Sequence, residues 1–457
     1  MPHRACGRGE TLAASGPVSR TIRSAHVQAA ERPDGKFYGG PILGDDPESL
    51  LLRHNRRREA VDHFAPTLRD PVHLPGSFAY LGLAFGHFGH AMAEMVHRIV
   101  PTRQIIRDPQ WLILTKKGDD ATFAALPALT RSILALFNIN VANCTVVTQD
   151  TIVEELLIVE AGSDLGGGPK PWYLELLRQH SPVVIARDDT YPKKIYVSRS
   201  GLEHGSGILG ERVLEAALKD AHFHIMHSEL LSLTEQFALY GNADVVLFAE
   251  GSACHGVELF GGETLGHTIL MNRRARARSQ FDPVLAPRSR RFDSFSGNPY
   301  LGSAFINEAD QSLIHRGVSV IALDDLGRFL AEIGAGAIGD VSPISYLAAA
   351  HADLERYIEW ATAGSHHERP AAAKQLHEAL AATVSAGGRI AGVGQRKRPR
   401  EQTKSATGRA RADQATVDPS AAAERATRED RLARRARRVA REQRLAARAR
   451  QAANKRK

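Results

Sequence analysis

Three cysteines, Cys6, Cys144 and Cys254, are scattered over 457 residues with no C-x-x-C between them. Their odd number and wide spacing support neither a disulfide framework nor a cysteine zinc site, and a reducing, cytoplasmic location is expected. Long apolar runs are missing too. No stretch reaches the roughly 18 residues that a transmembrane helix needs. The opening "MPHRACGRGETLAASGPVSRTIRS" has no continuous hydrophobic segment behind its basic residues, so a signal peptide is not expected. The absence of G-x-x-x-x-G-K-[ST] argues against a P-loop nucleotidase.

The net charge of +8 is unevenly spread. Residues 396–457 carry 21 Lys+Arg against 7 Asp+Glu, a net of +14, which leaves residues 1–395 at −6. The basic stretch "RLARRARRVAREQRLAARARQ" favours helix but has little apolar surface to bury. It reads as a disordered or partly helical tail over 391–457, and as a surface for an anionic membrane or nucleic acid through residues 396–457. A tail of that kind would place the protein peripherally on the membrane. It lacks interleaved aromatics, which argues against base stacking.

Along the rest of the chain, residues 1–35 are polar and aperiodic and read as a flexible lead-in. "KFYGGPILG" suggests a strand and turn, whereas "SLLLRHNRRREAVDHFAP" gives no clear signal. From about residue 77 short apolar strands alternate with helices: "SFAYLGLAF", a histidine-bearing helix ended by Pro101, "QWLILTK", a helix interrupted by Pro127, and "CTVVTQ". A second series starts near residue 193 with "KKIYVSRS", "ILGERVLEAALKDA", "HFHIMHS", "SLTEQFALYGNA", "DVVLFAEGSACHGVELFG", "HTILMN" and "VSVIALDD". Such alternation predicts an α/β fold with parallel sheets covered on both faces. The expected organisation is an α/β domain over 36–190, a second over 191–341, and helices over 342–390.

Three places carry chemistry. "AYLGLAFGHFGHAMAEMVHRIVP" puts His87, His90, Glu94 and His97 within roughly an 80° arc if the helix has begun by His87. Gly86 and Gly89 make a turn there equally compatible. Such a face suits acid–base catalysis, a hydrogen-bonded structural cluster or, since imidazoles and a carboxylate ligate zinc and iron, a metal. One helix cannot surround an ion alone, and no metal is expected. "GSGILG" (Gly205–Gly210) matches G-x-G-x-x-G with Glu229 further on, but it starts four residues after its strand rather than directly from it, which weakens a dinucleotide reading. In "FAEGSACHG" an apolar strand delivers Glu250-Gly251-Ser252 to a helix start. There Gly251 would let a ligand approach, Ser252 would cap the helix, and free N–H groups would suit a phosphate. Arg199 would share that sheet edge, where its guanidinium could clamp a diphosphate or form a rim salt bridge.

The run from Ile195 to Phe260 resembles the C-terminal half of glycosyltransferase family 61, which includes bacterial capsular polysaccharide biosynthesis proteins. The family pattern is a strand ending in Ser/Thr-Arg, an Asn-Glu opening a helix, a Ser-x-x-Glu-Gln helix, and an apolar strand with a Gly-Ser/Ala turn. This chain supplies Ser198-Arg199, Glu211, Ser232 with Glu235-Gln236, and Glu250-Gly251-Ser252. The bacterial "G…HFGH…E…R" segment is matched by Gly82, His87, Phe88, Gly89, His90, Glu94 and Arg98. Gly210 stands where the family has Asn.

The resemblance implies a GT-B-like architecture, two Rossmann-like domains facing a cleft. It also implies inverting transfer from a nucleotide-sugar to a glycan or lipid-linked acceptor, without cofactor or obligatory metal. Donor contacts would then come from Arg199, Glu211, Glu235, Glu250, Gly251 and Ser252. His90 would be the base, Glu94 would orient it, and His87 would be the alternate. A non-catalytic nucleotide- or polyanion-binding protein acting through its tail remains the alternative, as does another sugar-modifying enzyme such as a pyruvyltransferase.

Overall fold

The computed structural model describes residues 16–32, 36–65, 67–183, 185–202, 206–274, 279–305, 313–363, 370–384 and 390. The expected tail at 391–457 and the first glycine of "GSGILG" lie outside the described residues.

The first sheet has seven strands: β1 (Ser19–Glu31), β2 (Phe37–Pro41), β3 (Asp62–His63), β4 (Val72–Leu83), β5 (Trp111–Leu114), β6 (Cys144–Val147) and β7 (Thr151–Val159). Their spatial order is β3-β2-β1-β7-β4-β5-β6. The strands β4 to β7 are mutually parallel, while β1 runs antiparallel to both β2 and β7. The sheet is therefore mixed rather than parallel. Ser19–Glu31, expected within a flexible lead-in, is instead its longest strand. The signal was weak because the positions it buries are mostly alanine, with one glutamine: Ala25, Val27, Gln28, Ala29 and Ala30. In β4 the Pro75-Gly76 pair falls where the pairing with β7 slips, between Leu74 and Ser77; proline cannot donate to a ladder.

The second sheet is wholly parallel. It contains β8 (Lys194–Ser198), β9 (His224–His227), β10 (Val245–Ala249), β11 (Leu265–Met271) and β12 (Ser289–Phe295), in the order β9-β8-β10-β11-β12. The near-continuous apolar run of β10 is what a strand covered on both faces requires. Ile195, Val197, Val246 and Phe248 point into a core shared with Leu81, Met92, Trp111 and Ile113 of the first half. The alternate positions Tyr196, Leu247 and Ile269 pack with α1 (Glu211–Asp220), α2 (Leu323–Glu332), α3 (Pro343–Ala363) and α4 (Pro370–Thr383), through Leu214, Leu326, Leu354 and Leu376.

The histidine segment is not one regular helix. His87 has extended backbone angles and precedes a short α-turn, Phe88–His90. A π-turn at Ala91–Met95, a 3₁₀ turn at Val96–Arg98 and an α-helical end at Ile99–Ile105 follow. The expected common arc fails because these turns change the angular step, and π-turns recur at functional sites. Pro101 does not end the segment. It sits in the first turn of its last part, and the His97 carbonyl that it cannot satisfy accepts from the Gly162 N–H at 3.0 Å.

His97 is fully buried, with Nδ1 3.2 Å from the Tyr173 hydroxyl and Nε2 3.7 Å from Glu258 Oε2. Burial lowers its imidazole to about 4, against the pull of Glu258. Between its ordinary range and about 4 the unfolded chain takes up a proton that the folded one refuses. Stability contributed by His97 is thus present above about 6.5 and is lost as the pH falls toward 4, by at most about 1.4 kcal/mol per pH unit. Urea midpoints measured from pH 7 to 4.5 should fall more steeply for the native protein than for His97→Asn. Parallel curves would refute the assignment.

Candidate functional site

Two parallel strand sets bring their C-terminal ends to topological switch points, where open α/β sheets bind ligands. In the second sheet the chain goes from β8 outward to β9 and then back across to β10, so the switch lies between β8 and β10. Arg199 follows β8 and Glu250-Gly251 follows β10. Next to them, β11 delivers Asn272-Arg273-Arg274. In the first sheet β4 lies between β5 and β7, and the histidine segment starts just after β4.

At the second edge, Arg199 is held from its main chain. Its N–H donates to Glu211 Oε1 at 2.9 Å, and the same buried carboxylate accepts from the Tyr196 hydroxyl at 2.7 Å and Ser198 at 3.1 Å. Burial raises the Glu211 carboxyl, although these donors oppose it. The Arg199 side chain donates through Nη2 to the Ser206 carbonyl at 3.0 Å, while its buried Nε has no partner among the described residues. Glu211 thus positions Arg199 rather than facing the open site.

Gly251 makes room for that guanidinium: a Cβ there would lie 2.0 Å from Arg199 Nη1. The sequence reading gave this glycine to a ligand's approach, and a neighbouring side chain takes the space instead. Ser252 does not cap. The 3₁₀ turn Ser252–Val257 has Gly251 at its N-cap and no side-chain cap.

Glu250 is buried, accepting from the Arg273 and Arg274 N–H groups at 3.0 and 3.1 Å and from the Ser279 hydroxyl at 3.1 Å. Its oxygens hold Arg273, Arg274 and Ser279, which follow β11. Arg273 donates to the carbonyls of Glu250, Gly317 and His315. Burial, and then the charges of Arg199 and Arg274, push its guanidinium well below the usual range. Arg273 and Arg274 meet the Glu250 carboxylate while the charges of Arg199 and Arg274 act on Arg273, a like-charge repulsion that a bound anion would relieve. The signal for Arg273 and Arg274 was a basic pair directly after an apolar strand.

Glu235 stands apart from this group. It forms a reciprocal capping box with Ser232, its Oε2 accepting from the Ser232 N–H at 2.8 Å, at the start of the helix Leu233–Asn242.

A cavity of about 570 Å³ opens beside Arg199, with Ser200, Arg212, Asp353, Tyr357 and Trp360 on its walls. Gly210 lies between Leu209 and Glu211, two residues of this wall. Gly210 has φ +71°, and a Cβ would meet Tyr346 Cε2 at 2.6 Å. Its N–H donates to Asp353 Oδ2 at 2.7 Å, so helix α3 supplies both the packing and the acceptor at the start of α1.

At the first edge, His90 Nδ1 lies 2.5 Å from Glu94 Oε1, and the ring remains about one-third exposed. Its face stacks on Phe85 at 5.4 Å between centroids. Glu94 is buried and also meets His54 and Arg56. Burial alone would raise its carboxyl; the hydrogen bonds from His54, His90 and Arg56 hold it well below the usual carboxylate range. His87 stands 5.2 Å from His90, and burial together with the charges of His90 and His255 lowers its imidazole. Arg98 turns inward, donating to the carbonyls of Val159, Leu52 and Arg53.

The two edges are joined through the Ser252–Val257 turn. It begins beside Arg199 and carries His255, whose Cδ2 lies 3.4 Å from where a Cβ on Gly89 would stand; the His87 ring lies at 3.2 Å from the same point. His255 in turn is fixed by Glu258 Oε1 at 2.9 Å from Nδ1. The sequence reading missed His255 and Glu258, although both lie in "GSACHGVELF".

A search among curated proteins found no match. Residues 88–260, which carry His90, Glu94, Arg199 and Glu250, match the family model described as Glycosyltransferase 61, and that match supports glycosyltransferase activity for this chain.

Proposed function

We propose that the protein is an inverting glycosyltransferase that moves a sugar from a nucleotide-sugar to a glycan or lipid-linked acceptor, with its two halves acting as the two sides of a GT-B-like cleft. The observation that carries this reading is the cluster of Arg199, Arg273 and Arg274 at the switch point of the parallel sheet, beside a nucleotide-sized cavity. A diphosphate leaving group gains negative charge as the glycosidic bond to it breaks. Fixed guanidinium groups can stabilise that charge without a metal. Arg199 is the donor contact, Glu211 and Glu250 hold the arginines in place, and Gly251 leaves the room that Arg199 occupies. On the acceptor side His90 takes the hydroxyl proton through Nε2 while Glu94 holds Nδ1; His87 is the alternate base. The acceptor oxygen then attacks the anomeric carbon from the face opposite the departing diphosphate, which inverts that centre.

The test is thermal melting of the full-length protein against UDP-, GDP-, CMP- and dTDP-sugars and NAD, with and without EDTA. One nucleotide-sugar should raise the melting temperature by mass action, independently of EDTA. Arg199→Ala should abolish the rise. Gly251→Ala should do the same while leaving the ligand-free melt nearly unchanged, because its methyl displaces only the end of a flexible side chain. Stabilisation by NAD alone, or by no ligand, would refute the proposal.

A further inference from the structure

Glu94 is held by four nitrogens, and three of them belong to two residues outside the matched segment. Asn55–Arg56 and Glu59–Ala60 pair as a hairpin. Its turn residues Arg57 and Arg58 have φ +53° and +67°. Asn and Gly are the usual occupants of such positions, so two arginines there hold the backbone under strain. The hairpin is nonetheless fastened down. The Arg57 N–H donates to the Leu165 carbonyl at 3.0 Å, and Arg58 Nη2 donates to the carbonyls of Gly167, Gly168 and Pro169 at 3.1, 3.2 and 3.3 Å.

Fastening the turn fixes the residues before it. His54 Nε2 stands 2.7 Å from Glu94 Oε2, and its ring packs on Phe37 at 5.2 Å. Arg56 grips both carboxylate oxygens, Nε to Oε2 at 2.8 Å and Nη2 to Oε1 at 3.1 Å. A planar fork on a carboxylate is directional in a way that a point charge is not.

We propose that His54 and Arg56 are positioning residues for the transfer: they keep Glu94 ionised and in one orientation, so that His90 carries its proton on Nδ1 and presents the bare Nε2 to the acceptor hydroxyl. This rests on His90 being the base. A carboxylate as buried as Glu94 tends to take up a proton, and a protonated Glu94 would donate to Nδ1 and drive the imidazole proton onto Nε2, the wrong tautomer for a base. Arg56 opposes this with a permanent charge. The other groups facing His90 are His87 on its own segment, the Phe85 ring and, through His87, His255 from the Ser252–Val257 turn.

The experiment is ¹⁵N NMR of the histidine rings in the full-length protein at neutral pH, with kcat and KM measured alongside. In the native protein His90 should show the Nδ1–H tautomer. In His54→Phe/Arg56→Met the Nε2–H tautomer should appear, and kcat should fall roughly tenfold or more with KM for the donor unchanged. Arg56→Lys, which keeps the charge and loses the fork, should retain the native tautomer and most of kcat. A folded double variant with an unaltered His90 tautomer would overturn the proposal. Should the double variant not fold, Arg56→Gln replaces it and is read in the same way. Native protein that shows the Nδ1–H tautomer but no transfer would refute the transferase reading, whereas a wrong native tautomer would refute the positioning role.

Discussion

His90→Ala is expected to lower turnover by about 10²–10⁴-fold, the range that a positioned general base contributes, and to leave donor affinity nearly unchanged. The separation follows from where the two functions sit. Donor phosphates would meet Arg199 on the edge of the second sheet, whereas His90 stands on the edge of the first. A base with one nitrogen bound to a carboxylate at 2.5 Å has only its other nitrogen for the acceptor. With His90 as the proposed base, the exposed part of its ring is the surface that would meet the acceptor. His87 has no carboxylate partner among the described residues, and burial, followed by the charges of His90 and His255, lowers its imidazole. His87→Ala should accordingly cost less than His90→Ala. Single-turnover transfer with a labelled nucleotide-sugar would measure both. Equal losses, or a larger loss at His87, would move the base to His87.

Much of this arrangement was legible in the sequence wherever apolar runs are short and bounded. The strands β4 to β6 and β8 to β11 were read from such runs, since strands covered on both faces are nearly all apolar. Arg199 and the Glu250-Gly251 turn were placed at one edge by strand ends alone. What was not legible depends on distant pairing. β1 buries alanines against a strand more than a hundred residues away, as in Ala25 opposite Val153. Gly210 looked like a lost contact, and only the packing of Tyr346 and the bond from Asp353 explain why a side chain does not fit there. Glu250 reads as a ligand contact because it ends an apolar strand, and Glu211 because it matches the Glu that opens a helix in the family pattern. Both are buried and spend their oxygens on backbone and hydroxyl donors. "RHNRRR" gave no periodicity because its residues form a short hairpin with two strained positions.

Glu258→Leu is expected to reduce the unfolding free energy by about 3–5 kcal/mol, the cost of leaving a buried charge without its partner. Arg288 is fully buried and donates from Nη2 to Glu258 Oε2 at 2.9 Å. Burial works to raise the Glu258 carboxyl, and Arg288, His255 and His97 hold it down to about 2. Three carbonyl acceptors, on Phe260, Val284 and Glu258 itself, would still face the guanidinium after the substitution, but they carry no full charge. Removing both ions should therefore cost less than removing one. Glu258→Leu/Arg288→Met is expected to recover part of the loss, and guanidinium unfolding of the two single variants and the double variant would give the coupling. Strict additivity would show that the pair contributes only through packing. The same carboxylate fixes His255 beside His87 and faces His97 of the histidine segment. One ion pair thus ties together the turn that starts beside Arg199 and the segment that carries His90. In Glu258→Leu, transfer should fall further than the loss of folded protein accounts for, because the two edges would no longer be held in register.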